Sequence, residues 1–407
     1  MANMRKSKDG LAEYVRREGN VSFSRRSLNA VDAAIFTQLA YLDYALVPLD
    51  VEPTLATLAQ TDLLPLMTRG IWMSDLFDEL LAELVKSVRF KDVRWQNAVN
   101  TADPDAELQF AALTFELTPD EYFVAYRGTQ ATLLDWKEDF NMTYMHTVPS
   151  QKLAVRYLQH RITSFPGKYF VGGHSKGGNL AVYALMRSGM GTQRQVQLAF
   201  NFDGPGFKEP VPINVRQKVR KFVPESTIIG LLLEPEQDYR VVQSNAGGIN
   251  QHNLLTWRVQ RRHFAAAEKL RWTARYTQRA IDAWLAELTP TQRKEVLDSF
   301  YAVLASSDID DLNAIGDAFP ETAKTVLSQV RATDPAVRKQ WESAFGDLLN
   351  AMRVAAVRAD GPQKVLTGLR NRRAEVIKRL GITPKADAPA KKAAQPALPA
   401  PEDEDKA

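Results

Sequence analysis

Three residue types spaced along this 407-residue chain could together open a carbonyl: a serine, a histidine and a carboxylate. The serine is Ser175, in Gly173-His174-Ser175-Lys176-Gly177. It follows the apolar run Lys168-Tyr169-Phe170-Val171-Gly172 and precedes Gly178-Asn179-Leu180-Ala181-Val182-Tyr183-Ala184-Leu185. The stretch therefore reads as a buried strand, a sharp turn with a serine at its tip, and a helix, the context that a Gly-x-Ser-x-Gly elbow requires. Such a turn strains the serine backbone, so the residues two positions either side must be nearly devoid of side chain. Gly173 and Gly177 meet that need. The helix start leaves N–H groups facing the place where an oxyanion would develop. The bland alternative is a glycine-rich turn that only packs a sheet, and it weakens if a base and an acid follow.

The chain has five histidines, His146, His160, His174, His252 and His263. On an open α/β sheet with such an elbow, the acid and then the histidine follow the serine. Only His252 and His263 lie beyond Ser175. His252 sits in a loop after the strand-like Tyr239-Arg240-Val241-Val242, where a base could reach the serine. His263, in Arg261-Arg262-His263-Phe264, is expected to begin a charged helical stretch, so His252 is preferred. Two carboxylates stand at strand ends between serine and base. Asp203 follows 196–202 and precedes Gly204-Pro205-Gly206-Phe207; Glu225 follows 219–224. Both ends border the crevice of an open sheet. Asp203 is shorter and stiffer and is favoured, with Glu225 kept as the alternative. The bland reading of Asp203 is a turn aspartate that accepts backbone N–H groups.

Upstream, 108–117 and 121–126 read as an antiparallel hairpin. The second strand runs into Arg127-Gly128-Thr129, where Thr129 could supply one oxyanion donor and the N–H of Lys176 the other. Arg127 is expected to pair with Asp135, Glu138 or Asp139 rather than to act on substrate.

These residues resemble a known family. Tyr126-Arg127-Gly128-Thr129, Asp135-Trp136-Lys137-Glu138-Asp139, the elbow continued as Gly177-Gly178-Asn179-Leu180-Ala181, and Asp203-Gly204-Pro205-Gly206-Phe207 look like the bacterial Mbeg-like proteins. Those are similar to class 3 lipases, with an Arg-Gly-Thr or Arg-Gly-Ser oxyanion segment and a Gly-His-Ser-x-Gly elbow. The resemblance covers roughly residues 23–257. It implies an α/β-hydrolase-like fold, Ser175 as nucleophile, Thr129 and Lys176 as oxyanion donors, and His252 as base. A class 3 lipase would carry its acid at a strand end where this chain has Pro224-Glu225-Ser226-Thr227, which leaves the choice between Asp203 and Glu225 open. The resemblance supplies no substrate.

The elements that must position these residues read as α/β over 20–260, with helices at 28–46 and 74–84 beside the strands. From 261 to 383 strand signals vanish and amphipathic charged patterns take over, giving an all-α region of four or five helices. Residues 384–407, rich in Ala, Pro and Lys, cannot bury a core and are expected to be disordered. With 45% hydrophobic residues the chain can bury a sizeable core. It has no cysteine, so disulfides and thiol chemistry are excluded; its scattered histidines call for no metal, and no cofactor is implied. There is no secretory h-region and no apolar run of bilayer length, which points to a cytoplasmic protein. The net charge of +4 gives no argument for nucleic acid. Arg370-Asn371-Arg372-Arg373 with Lys378-Arg379 offers peripheral contact with anionic lipid as one reading and a solvated helix face as the plainer one. Oligomeric state is left open. Two functions from different classes follow: a serine hydrolase acting on a small-molecule or lipid-like carboxylic ester, and a non-catalytic hydrolase-like scaffold working through its helical region.

Overall fold

Seven strands lie side by side in chain order: β1 (Arg94–Asp103), β2 (Leu108–Thr118), β3 (Glu121–Tyr126), β4 (Lys168–His174), β5 (Val196–Phe202), β6 (Val219–Pro224) and β7 (Arg240–Val242). β1, β2 and β3 pair antiparallel, and β3 through β7 pair parallel. The structure, a computed structural model, describes residues 9–129, 138, 141–142, 144–227, 229–234, 238–272, 274–275, 278–279, 289, 291 and 294. The helices expected beyond residue 294 and the tail at 384–407 lie outside the described residues.

Both faces of the sheet are covered, so its strands alternate between two cores. In β3, Phe123 and Ala125 face one apolar cluster, while Tyr122, Val124 and Tyr126 face the other. The first cluster is filled by α1 (Leu11–Glu18), α2 (Ala30–Leu39) and α3 (Ser74–Leu84), the second by α4 (Pro149–Ser164) and α5 (Lys176–Arg187). This is the mostly parallel α/β sheet flanked by helices that the sequence predicts.

Four local differences have physical causes. The sequence reading begins the sheet at residue 108, yet β1 precedes it. Trp95 is the one buried residue of β1; most of the strand is exposed, as suits an edge strand, and it carries little apolar signal. The helix expected over 28–46 ends at Leu39. Asn29 starts it with a reciprocal cap to Asp32, but Asp43 then bonds Met67 O through its backbone and Ala45 N through its side chain, turning the chain out of the helix. The folded body also reaches upstream of residue 20: Leu11, Tyr14 and Val15 are buried in the main core, and Tyr14 Oη donates to Asp32 Oδ1 at 2.8 Å. Finally, His263 begins no helix. It pairs with Gln260 in a two-strand hairpin, β8 (Val259–Gln260) and β9 (His263–Phe264), turned through Arg261 at φ 56°. Phe264 buries its ring against Phe222 and Trp257, with centroids 5.5 and 5.3 Å away, and that packing outweighs the charged sequence around it.

Among the described residues no helix is long and apolar enough to cross a membrane.

Candidate active site

Ser175 stands between the end of β4 and the first turn of α5, at φ 56° and ψ −131°. A residue with a side chain rarely adopts that region. The conformation is imposed from both sides: Ser175 N donates to Phe202 O at 2.9 Å, and Ser175 O accepts from Gly178 N at 2.9 Å. The flanking glycines are obligatory. A Cβ at Gly173 would lie 2.1 Å from the carbonyl carbon of Gly177, and one at Gly177 would lie 2.2 Å from Tyr126 O.

One strand over, Asp203 repeats the device. Its φ is 50°, and its N–H donates to Phe222 O at 2.8 Å. Gly204 N donates to Asn201 Oδ1 at 2.8 Å, and a Cβ on Gly204 would meet Ser175 O at 2.3 Å. The serine and the aspartate thus leave adjacent parallel strands in the same strained way and in contact with each other's turns.

His252 closes a short 3-10 turn, Gly248–His252, after β7. Its Nδ1 lies 2.7 Å from Asp203 Oδ2. Asp203 Oδ1 accepts from Thr227 Oγ1 at 2.5 Å, and Thr227 Oγ1 accepts from Gly230 N at 3.0 Å. The carboxylate is sealed while the imidazole keeps 12% of its side-chain surface. Among the described residues no hydrogen bond links Ser175 Oγ to the His252 ring in this conformation; such bonds are commonly long before substrate binds. Glu225 is half-buried, its carbonyl accepts Arg271 N at 2.8 Å, and the imidazole is bonded to Asp203 instead. Thr227, two residues on, is what that strand end contributes. His146, His160 and His263 are exposed.

His174 is buried against His252, with ring centroids 4.4 Å apart. Its Nε2 lies 2.7 Å from His252 O, and its Nδ1 lies 3.1 Å from Tyr41 Oη. Burial first, and the neighbouring His252 second, push its pKa well below the ordinary imidazole value of 6.5, so the ring is neutral.

On the other side, Gly128 and the half-buried Thr129 follow β3. A Cβ at Gly128 would lie 2.3 Å from His174 O and 3.2 Å from Ser175 Cβ, so the backbone passes hard against Ser175. Lys176 offers its backbone at the start of α5, while its side chain is fully buried: Nζ donates to Glu138 Oε2 at 3.0 Å and to Gln109 O at 3.1 Å. Glu138 also accepts from Ser150 N at 2.9 Å, in the first turn of α4 where the helix dipole favours a carboxylate. Of the acids expected beside Arg127, Glu138 is therefore engaged by Lys176, and Asp135 and Asp139 lie outside the described residues. Arg127 Nη2 donates to Asn100 Oδ1 at 3.0 Å, on the unforeseen edge strand. Sequence reasoning also passed over Tyr41, Thr227 and the side chain of Asn179, which links Gln151 to Gly206 O. No local spacing announces Tyr41 or Thr227, because each arrives from a distant element, whereas Asn179 stands in the first turn of α5 close to Ser175. Among the described residues no three His, Asp or Glu side chains gather as a metal would need.

A family model described as Mbeg1-like matches residues 84–302, more than half of the chain. No curated protein matches. Among solved structures, M37 lipase is 15% identical with a TM-score of 0.31, over 50% of this chain and 69% of that one. The Rhizomucor miehei lipase propeptide complex is 15% identical with a TM-score of 0.29, over 38% of this chain and 58% of that one. A fungal lipase–inhibitor complex is 17% identical with a TM-score of 0.28, over 38% and 66%.

Proposed function

The chain belongs to the Mbeg1-like family, and from that premise together with the geometry of its elbow we propose that it is a serine hydrolase that cleaves a carboxylic ester of a small or lipid-like molecule. The observation that carries the reading is the 2.7 Å contact between His252 Nδ1 and the sealed carboxylate of Asp203, beside a serine held at a strained strand end. Strain, a buried acid and an imidazole with an exposed edge are costly together, and catalysis gives each a use.

In this reading the Asp203 carboxylate accepts a hydrogen bond from His252 Nδ1–H, which leaves Nε2 free as a base. Ser175 Oγ attacks the ester carbonyl as His252 takes its proton, and the tetrahedral oxygen is held by the N–H groups of Lys176 and Thr129. His252 then returns the proton to the leaving alcohol. Water enters, the same base activates it, and the acyl-enzyme is hydrolysed. The side chain of Lys176 takes no part, since Glu138 holds it. Asp203 is the acid of this proposal because its carboxylate, unlike that of Glu225, is bonded to the imidazole.

The test is turnover of p-nitrophenyl butyrate by the full chain and by Ser175→Ala, which fits the same turn without an oxygen. A loss of about two or more decades in kcat/KM with unchanged melting temperature is expected. Equal rates in the two proteins would transfer the site to the scaffold reading.

A further inference from the structure

We propose that His174, the residue before the nucleophile, is a positioning residue for the base: it fixes the backbone of His252, and Tyr41 fixes His174. The proposal rests on the serine hydrolase reading and deepens it.

His252 lies on a loop rather than in a regular element, at the end of the five-residue 3-10 turn Gly248–His252. A general base there must be placed by bonds from outside. Its ring is held by Asp203 and the residue before it by Trp257, whose Nε1 donates to Gln251 O at 2.7 Å. The carbonyl of His252 itself accepts from His174 Nε2 at 2.7 Å. A carbonyl can only accept, so the proton of His174 resides on Nε2. Nδ1 is then the acceptor, and the phenol of Tyr41 must donate to it across 3.1 Å. The chain Tyr41 Oη–H to His174 Nδ1, and His174 Nε2–H to His252 O, therefore has one direction throughout. It works only with a neutral His174, which burial enforces.

Chain position gives the bond its effect. His174 and Ser175 share a peptide unit, so the element that presents the nucleophile also grips the backbone of the base. Base and nucleophile then move together rather than as two independent loops. Tyr41 adds a third element, since its hydroxyl is also the atom that a Cβ on Gly128 would meet at 2.6 Å. An apolar side chain of the same size could pack against the base, but it could not hold the carbonyl.

The experiment measures kcat and KM separately for p-nitrophenyl butyrate, with melting temperature alongside, in the full chain and in His174→Leu, His174→Gln and Tyr41→Phe. Misplacing a base by about 1 Å costs on the order of a hundredfold. His174→Leu is expected to lower kcat about 10- to 100-fold with KM within about twofold. His174→Gln keeps a donor near the Nε2 position and recovers most of kcat. Tyr41→Phe lets the imidazole choose its other tautomer; it lowers kcat by less, and adds nothing in the His174→Leu background. A His174→Leu enzyme with wild-type kcat, while Ser175→Ala is inactive, overturns the positioning role and leaves the hydrolase reading standing. Equal impairment of His174→Leu and His174→Gln also overturns it, because the donor would then not matter. If His174→Leu does not fold, Tyr41→Phe decides, and an unchanged kcat there contradicts the proposal. Wild-type protein no faster than Ser175→Ala removes the hydrolase reading and this inference with it.

Discussion

Among the described residues two aspartates are buried, and they are built in opposite ways. Asp32 lies in the relaxed first turn of α2 and is fully buried. It is met by Arg89 through Nε at 2.9 Å and Nη2 at 2.6 Å, by Tyr14 Oη at 2.8 Å and by Asn29 N at 3.0 Å. Arg89 also donates to the carbonyls of Val21, Arg26 and Ser27, so one guanidinium stitches the N-terminal segment to the core. Asp203 is just as deeply buried, but on a strained backbone, and it is bonded by a hydroxyl and by an imidazole that can gain or lose a proton. The first site is saturated by a permanent cation and closed to change. The second has one partner with an exposed edge and a variable charge. A sequence motif cannot distinguish the two. The identity of the partner and the backbone strain can, because strain persists only where the surroundings over-determine it.

The widest gap between the two sites should come from neutralising Asp203. Asp203→Asn is nearly isosteric, yet it can hold the wrong tautomer of His252. Turnover should fall by about three to four decades, while stability changes by only about 1 kcal/mol. Glu225→Gln should leave kcat near the wild-type value. Stopped assays of all three proteins, each with a melting curve, check the pair. A large loss in Glu225→Gln alone would move the acid to the end of β6.

Arg89→Met should do the reverse. It leaves Asp32 as an uncompensated buried charge, which costs about 3–5 kcal/mol of folding free energy. The protein that still folds should keep its kcat per active site. Urea unfolding combined with active-site titration measures both. A fall in kcat without a fall in stability would mean that the two regions are coupled.

The smallest effect belongs to His174. Its folded pKa is depressed below 6.5, so the unfolded chain binds a proton that the folded chain resists. The stability linked to this group is intact above 6.5 and is lost as the pH falls from 6.5 through the lower folded value. The slope contributed by one proton is at most about 1.4 kcal/mol per pH unit. Denaturation from pH 7 down to pH 5 should therefore be flatter in His174→Gln than in the wild type. Parallel curves would mean that the ring is not held neutral.

The parts of the molecule that could be read in advance were those with a dense local code. β4, its elbow and α5 are one continuous signal of buried run, paired glycines and apolar helix. The ends of β5 and β6 and the loop holding His252 were marked by turn residues after apolar runs. What escaped notice depends on contacts made over long separations. β1 hides because an edge strand needs few apolar residues. β9 hides because two residues beside two arginines carry no period, although Phe264 packs into an aromatic cluster. The sequence reading gives Lys176 a backbone role alone, and its side chain is buried against Glu138 and Gln109 O, which come from other segments. Thr227 and Tyr41 are ordinary residues in sequence and gain a role only through the turns that bring them to Asp203 and His174.

The central claim is that Ser175 is a nucleophile activated by His252. It is tested most directly by treating the full chain with a fluorophosphonate and mapping the adduct by mass spectrometry. A single adduct on Ser175 is expected, formed at least about a hundredfold more slowly in His252→Ala and at an unchanged rate in His263→Ala. No adduct on Ser175, or equal labelling when His252 is removed, would contradict it.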